Sequence, residues 1–160
     1  MRCLFLLILI ILSSCEERSS RKAILVSQPD TSTYSLFSLQ SLIFGPTCAS
    51  AGCHDGHFEP DFRTLQSTFC TTVFHPIIKN NSAKEFEFRV FPYSRKQSVL
   101  FERITNCCFV NVDDRMPQDN IGVPLPDDQI EKIGEWIDAG ARNIDGSVMS
   151  NPFEQGALMK

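Results

Sequence analysis

Residues 34–45 carry apolar side chains at the three- and four-residue spacing of a helix. The members of this apolar set are Leu36, Leu39, Leu42 and Ile43. This spacing predicts a short amphipathic helix whose apolar face belongs to the core. Gly45 and Pro46 follow directly, and this pair predicts the end of the helix.

The clearest helical pattern lies in residues 126–140, "PDDQIEKIGEWIDAG". Its apolar stripe consists of Ile130, Ile133, Trp136 and Ile137. Pro126 suits the first helical position, the two aspartates after it suit the positive end of the helix dipole, and Gly140 predicts the C-terminal stop. A shorter helix is predicted in residues 96–105, where Val99, Leu100 and Ile104 are apolar.

Residues 63–96, which precede the helix predicted in residues 96–105, are less regular. Within this segment, "EFEFRVFP" alternates Phe86, Phe88 and Val90 with charged residues, which predicts one short strand that ends at Pro92. Residues 111–126 are rich in turn-forming residues, and residues 147–160 show no periodicity and predict a flexible tail.

The N-terminus has the pattern of an export signal. Leu4–Leu12 is an uncharged apolar run, too short to cross a bilayer, which needs about 20 residues. The following "LSSC" resembles the cleavage site of bacterial lipoproteins, which implies a signal peptide over residues 1–14 and a lipid on Cys15. The alternative is a soluble signal cleaved after Ser14. Residues 15–33 then form the lipidated cysteine and a polar tether that keeps the domain near a membrane.

Composition narrows the class of partner. The 160-residue chain suits one domain with tails, and its formal charge of −4 gives no basic surface for nucleic acid. Its 13 phenylalanines suit a globular core or one that encloses a large apolar ligand.

The stretch "CASAGCH" carries the candidate chemistry. Cys48 and Cys53 flank four small residues, and His54 follows directly. A C-x-x-C-H run is a signal for covalent c-type haem, and here the spacing is two residues longer. Haem c needs two thiols on one local loop and a histidine directly after the second, and the small residues, with Gly52 free to adopt unusual backbone angles, let the longer loop bulge.

Two haem-free interpretations of this stretch remain open. Cys48 and Cys53 could form a disulfide beside an incidental histidine. Alternatively, both cysteines could bind zinc together with His54 and His57, although adjacent cysteine and histidine side chains rarely reach one tetrahedral ion.

A haem iron held on both faces needs a second ligand, which in electron carriers is commonly methionine. Met116 lies in "DRMPQ", a polar turn stiffened by Pro117, whereas Met149 and Met159 lie in the tail. Met116 could instead be a small packing residue. His75, flanked by apolar residues in "VFHPII", is the rival ligand, and His57 is too close to His54 to reach the opposite face.

Several motifs together resemble one family. "IFGPTCASAGCHDG", "SVLFERI", "RMP" and "PLPDDQIEKIGEWIDAGA" occur in the order found in the small c-type cytochrome domains of exported bacterial proteins and lipoproteins. The resemblance covers about residues 41–146. It implies that Cys48 and Cys53 form the thioether bonds to haem, that His54 is the proximal iron ligand and that Met116 is the distal one. Pro126 replaces the usual capping serine, and residues 66–95 match the family poorly.

These expectations combine into one hypothesis. The fold is mainly α, a cytochrome c-like helical haem domain over residues 34–146 with an irregular middle segment. The protein is an electron carrier rather than an enzyme, it binds one covalent haem c, and it transfers single electrons to redox partner proteins at the extracytoplasmic side of the cell envelope. The alternatives are a haem-free surface lipoprotein that acts as a binding module through a Cys48–Cys53 disulfide, and a haem enzyme of peroxidase type.

The remaining cysteines and one arginine allow weaker statements. Cys70, Cys107 and Cys108 permit one disulfide and leave one thiol over, and the absence of a following histidine excludes the adjacent pair as a second haem motif. Arg115 either faces a haem propionate or is solvated.

Overall fold

The computed structural model describes residue 32 and residues 34–105, 115–118 and 123–152. Within these ranges the chain is mainly helical, which confirms the predicted class. Its elements are α1 (Leu36–Leu39), a π-helical segment that continues α1 (Gln40–Cys48), α2 (Leu65–Thr72), a short 3₁₀ turn (Arg95–Gln97), α3 (Val99–Thr105) and α4 (Asp127–Asp138).

The first helix is longer and more widely wound than predicted. The Ser35 hydroxyl accepts the Ser38 N–H and caps α1. The helix then continues as a π-helix through Pro46, so the predicted stop at Gly45-Pro46 is wrong. Bonds from residue i to i+5 widen the turn, which brings Phe44 into the core and leaves Leu42 62% exposed instead of buried.

The final helix confirms its prediction closely. All four residues of the predicted apolar stripe are buried in α4. Pro126 precedes the first helical residue and occupies the N-cap position, one residue earlier than expected. Gly140 follows the helix with φ +102°, the left-handed conformation that a glycine stop adopts.

Helix α2 was not predicted. Its start is fixed by a reciprocal capping box, in which the side chains of Thr64 and Ser67 each accept a backbone N–H from the other residue. Inside the helix Thr68 and Thr72 are fully buried, so part of its inward face is made of threonines rather than aliphatic residues. A search for apolar periodicity therefore misses this helix.

The predicted strand is present only as isolated bridges. Val90 pairs with Val73, and Phe88 pairs with Pro76 and with Ser98. Phe88 and Val90 are buried, as the alternation predicted, but Arg89 between them is buried as well. Polar partners for its guanidinium, described below, explain why the alternation fails at this residue.

Aromatic rings connect the helices to one another. The Phe44 ring on the π-helical segment meets the α4 ring of Trp136 edge-on at 6.3 Å between centroids. On its other side, the same ring stacks on Phe62 at 4.8 Å. These contacts place the segment after "CASAGCH" on the helical core.

An arginine joins the 3₁₀ turn to α4. The Arg95 guanidinium bonds Asp138 at 2.6 Å and Glu131 at 2.8 Å. It also lies over the Phe101 ring of α3, 5.2 Å from the centroid. The group therefore ties α3 and α4 together at a partly exposed edge.

The predicted signal peptide, Cys15 and nearly all of the tether lie outside the described residues. Across the ranges that are described, every helix is too short or too polar to cross a bilayer. Of the predicted tail, Met149 is partly buried against the core, and the residues from 153 onward lie outside the description.

We predict that Gly45→Ala destabilises the fold. A Cβ at this position would lie 2.8 Å from the backbone carbonyl oxygen of Gln40, a contact that only a backbone shift can relieve. The free energy of unfolding should fall by about 1–3 kcal/mol in urea titrations of the full chain. Ser41→Ala, at an exposed position in the same segment, is the control and should change it by less than about 0.5 kcal/mol. Equal stability of Gly45→Ala and wild type would contradict the π-helical geometry.

Candidate functional site

The "CASAGCH" stretch forms a closed loop at the end of the π-helical segment. Cys48 is the last residue of that segment, and its carbonyl oxygen accepts the His54 N–H at 3.1 Å. Within the loop the Cys53 N–H bonds the Ser50 carbonyl at 2.9 Å, and Gly52 has φ +82°. The positive φ confirms the expected use of glycine in the longer spacing.

Asp55, the residue directly after the motif, stabilises this loop through its carboxylate. Its carboxylate accepts the Gly52 N–H at 3.0 Å and contacts the His57 Nδ1 at 3.0 Å. The Gly52 N–H, followed by His57, lowers the pKa of Asp55 to about 2. The carboxylate is therefore ionised at neutral pH and keeps both bonds.

The two cysteines of the loop differ in their surroundings. Cys48 is half-buried against the core, whereas Cys53 is exposed, and the structure has both as free thiols. Burial, with a smaller contribution from the nearby Cys53, raises the pKa of Cys48 to about 12. Cys48 is thus a protonated thiol at neutral pH.

The His54 imidazole turns toward the protein. It meets the Phe62 ring edge-on at 5.3 Å, and its Nδ1 is buried without a hydrogen bond of acceptable geometry. Burial is the main cause that lowers the pKa of His54; the Pro60 carbonyl acts in the opposite direction, and the charges of Arg89 and Arg103 lower it further. The imidazole is therefore neutral at pH 7, the form that can bind a metal.

Phe62 is held in place by the partly buried side-chain amide of Gln40. The Phe62 N–H donates to the His54 carbonyl at 3.0 Å, and the Phe62 carbonyl accepts from Gln40 Nε2 at 2.6 Å. The Gln40 Oε1 in turn accepts the hydroxyl of buried Thr68 at 2.6 Å. The start of the π-helical segment, α2 and the loop are thereby linked through one side chain.

A second polar cluster holds the residues just before Phe62. The Arg89 guanidinium donates to Glu59 Oε2 at 2.8 Å and to the Thr71 carbonyl at 2.7 Å. The Asp61 N–H donates to the Thr71 hydroxyl at 2.9 Å. Sequence reasoning missed this cluster because its members are distant in sequence and Arg89 had the pattern of an outward-facing strand residue.

Met116 packs against the same hydrophobic core as the start of the motif. It is half-buried and packs on the hydrophobic cluster that Cys48 and Ala49 also contact. Its N–H donates to the Arg103 carbonyl at 2.7 Å, and Arg103 is one of the charges that act on His54. The structure therefore places the predicted distal ligand against the core, with no hydrogen bond to Cys48, Cys53 or His54 among the described residues.

The rival histidines have other partners. The His57 side chain is 81% exposed and pairs with Asp55. The Nε2 of His75 lies 3.5 Å from Glu59 Oε2, and its Nδ1 lies 3.1 Å from the Pro76 carbonyl. His75 thus belongs to the Arg89 cluster.

The zinc alternative gains no support. All four of its candidate ligands, which are Cys48, Cys53, His54 and His57, lie in described ranges, and no three side chains of the metal-binding types converge there.

The last candidates from the sequence are one arginine and three cysteines. Arg115 is half-buried, and its Nε donates to the Ile104 carbonyl at 3.0 Å. Cys70 is an exposed free thiol on α2 that accepts from Gln66. Cys107 and Cys108, the other two cysteines of that set, lie outside the described residues.

A small cleft lies elsewhere, at the junction of α1 and α4. Its volume is about 20 Å³, and it is lined by Tyr34, Ser35, Leu36, Trp136, Ala139 and Arg142. Ligand pockets usually measure several hundred Å³, so this cleft has no room for a haem or another organic cofactor. The loop from Cys48 to His54 therefore remains the candidate site.

No protein-family model matches the chain, and comparison with curated proteins and with solved structures gives no significant match.

Proposed function

We propose that the chain is an exported lipoprotein with one mono-haem c-type cytochrome domain, which has the cytochrome c-like fold and transfers single electrons at the cell envelope. The observation that carries the proposal is the closed loop from Cys48 to His54. The bond from the His54 N–H to the Cys48 carbonyl keeps two thiols and one neutral imidazole on a single short turn. Covalent haem attachment needs this combination of groups in this order.

The donor set of the chain fits a haem. Cys48 and Cys53 are free thiols that would form the two thioether bonds, and His54 would be the proximal iron ligand. The group, when bound, supplies a one-electron iron couple.

Pro60 supports the assignment of the imidazole. Histidine ligands usually donate their second ring N–H to a carbonyl or carboxylate, which fixes the orientation of the ring. The Pro60 carbonyl acts on the His54 imidazole and is suited to accept that proton. The other ring nitrogen, Nε2, would then bind iron.

Met116 is proposed as the distal ligand. It is half-buried against the core that Cys48 also contacts, which supports an uncharged sulfur donor within the same domain as the loop. With His54 and Met116 both bound, iron has no open position for a substrate, which supports electron transfer rather than peroxidase chemistry. A thioether is also a poorer donor to ferric iron than imidazole, so this ligand favours the reduced state.

The proposed membrane attachment depends on Cys15. After cleavage before this residue, a diacylglycerol on its sulfur would anchor the chain, and residues 16–33 would act as the tether. The electron carrier would then work on the extracytoplasmic side of a membrane with redox proteins as partners.

We predict covalent haem in protein made by an exporting host with haem-attachment enzymes. Haem should stay with the denatured polypeptide through acid-acetone extraction, as detected by a peroxidase stain on a gel. The double variant Cys48→Ala, Cys53→Ala should lose the stain, while Cys70→Ser, which changes an exposed thiol elsewhere, should keep it. Complete extraction of haem from wild type would overturn the cytochrome proposal and favour a haem-free binding module.

We predict that Met116→Ala keeps covalent haem but loses the distal ligand. The near-infrared sulfur-to-ferric-iron band should disappear, the potential should fall, and the reduced protein should bind carbon monoxide, which wild type should not. Met149→Ala, which removes another methionine packed on the core, is the matched control and should keep the band. Survival of the band in Met116→Ala would assign the ligand to another methionine. If wild type lacks the band, His75 becomes the distal candidate.

We predict that Cys15→Ala releases the protein from membranes or blocks its processing, because it removes the sulfur that carries the lipid. Membrane fractionation and mass spectrometry of the mature N-terminus measure both effects. Cys3→Ala, within the same signal peptide, should leave fractionation unchanged. A membrane-bound Cys15→Ala protein with a normal mature start would place the anchor elsewhere.

A further inference from the structure

A buried arginine lies behind the segment that supports His54. The Arg89 side chain is only 8% exposed, although it carries a full positive charge at neutral pH. It donates to Glu59 and to the Thr71 carbonyl, and its own N–H bonds the His75 carbonyl at 2.9 Å. Such a charge is costly to bury unless it has partners, so this arrangement needs an explanation.

The partners of Arg89 fix both sides of Pro60. Glu59, which precedes Pro60, is held by the guanidinium. Asp61, which follows Pro60, is held by the hydroxyl of Thr71, the residue whose carbonyl Arg89 also binds. The next residue, Phe62, contacts the His54 ring and donates its N–H to the His54 carbonyl. The four-residue segment from Glu59 to Phe62 is therefore attached to Arg89 at one end and to His54 at the other.

The two charges of the pair are unequally screened. Glu59 is 48% exposed and Arg89 is 8% exposed, so solvent weakens the field of the carboxylate more than that of the guanidinium. The buried guanidinium is therefore the less screened charge behind the segment from Glu59 to Phe62, whose last residue contacts the His54 ring, so the pair contributes a positive field on that side of the imidazole. A positive field opposes the ferric state more than the ferrous state.

We infer that the Arg89–Glu59 pair positions the His54 imidazole and raises the reduction potential of the iron that His54 binds. The effect on the reduction potential rests on the proposed cytochrome function. The positioning of the His54 imidazole does not, because it depends only on contacts within the chain. Arg89 is a positioning residue, since it acts through the segment from Glu59 to Phe62.

The test combines amide hydrogen exchange with potentiometry on the full chain as purified from the exporting host. The exchange rate of the Phe62 N–H reports whether its hydrogen bond to the His54 carbonyl persists. The midpoint potential reports the electrostatic effect of the pair on the iron. The variants are Arg89→Gln, Arg89→Lys and Glu59→Gln. Arg95→Gln is the matched control, since it removes an arginine paired with two carboxylates at the α4 edge.

The expected results have opposite signs in potential. Arg89→Gln should lower the potential, because it removes the positive charge, and Glu59→Gln should raise it, because the guanidinium is then uncompensated. Both should speed exchange at Phe62 roughly tenfold, the equivalent of one lost hydrogen bond. Arg89→Lys should keep the potential close to that of wild type while exchange becomes faster, and Arg95→Gln should change neither.

Each contrary result has a definite meaning. If the pair had only a structural role, Arg89→Gln and Glu59→Gln would shift the potential in the same direction. That result would refute the claim that the charge of Arg89 raises the reduction potential. Unchanged exchange at Phe62 in these variants would overturn the positioning role. If Arg89→Gln does not fold, Glu59→Gln and Arg89→Lys decide both questions. Wild type without covalent haem would refute the proposed function and with it the potential role, and exchange would still decide the positioning.

Discussion

The stacking of Phe44 on Phe62 is the contact on which the candidate site depends. The two rings lie 4.8 Å apart, with Trp136 of α4 against one end of the pair and His54 against the other. Phe44 and Phe62 flank the loop in the chain, whereas Trp136 comes from the last helix. The aromatic contacts around His54 therefore combine neighbours that are local in sequence with one from the other end of the domain.

The π-helical turn makes this contact possible. With ordinary α-helical spacing, Leu42 would follow Leu39 into the core; the wider turn instead buries Phe44, while Leu42 faces solvent. Gly45 allows the close approach to the Gln40 carbonyl that such a turn requires. The same turn ends at Cys48 and thus sets where the loop begins. Single π turns within helices occur often at functional sites, and here the turn selects the aromatic partner of the loop.

The sequence predicts those elements whose signals lie in neighbouring residues, such as an apolar stripe or a glycine at a turn. Helix α4 follows from its apolar stripe and its glycine stop, and the bulge at Gly52 follows from the small residues around it. Helix α2 was missed because buried threonines replace the apolar stripe, and the extent of the first helix was wrong because periodicity assumes 3.6 residues per turn. The burial of Arg89 could not be predicted, since Glu59 lies 30 residues away. Pair interactions at that separation leave no periodic signal in one sequence.

The charges of the chain act on two different scales. The chain as a whole carries a formal charge of −4. Salt at about 0.1 M screens the interaction between exposed charges that are more than about 10 Å apart. At His54 charges of both signs act: Arg89 and Arg103 lower the pKa of the imidazole, Asp55 raises it by a smaller amount, and Arg89 is buried. A buried charge is screened much less than an exposed one, so these arginines influence the site more than the net charge does. Under the proposed function, the acidic surface would govern encounter with partners, while the buried arginine would govern how readily iron accepts an electron.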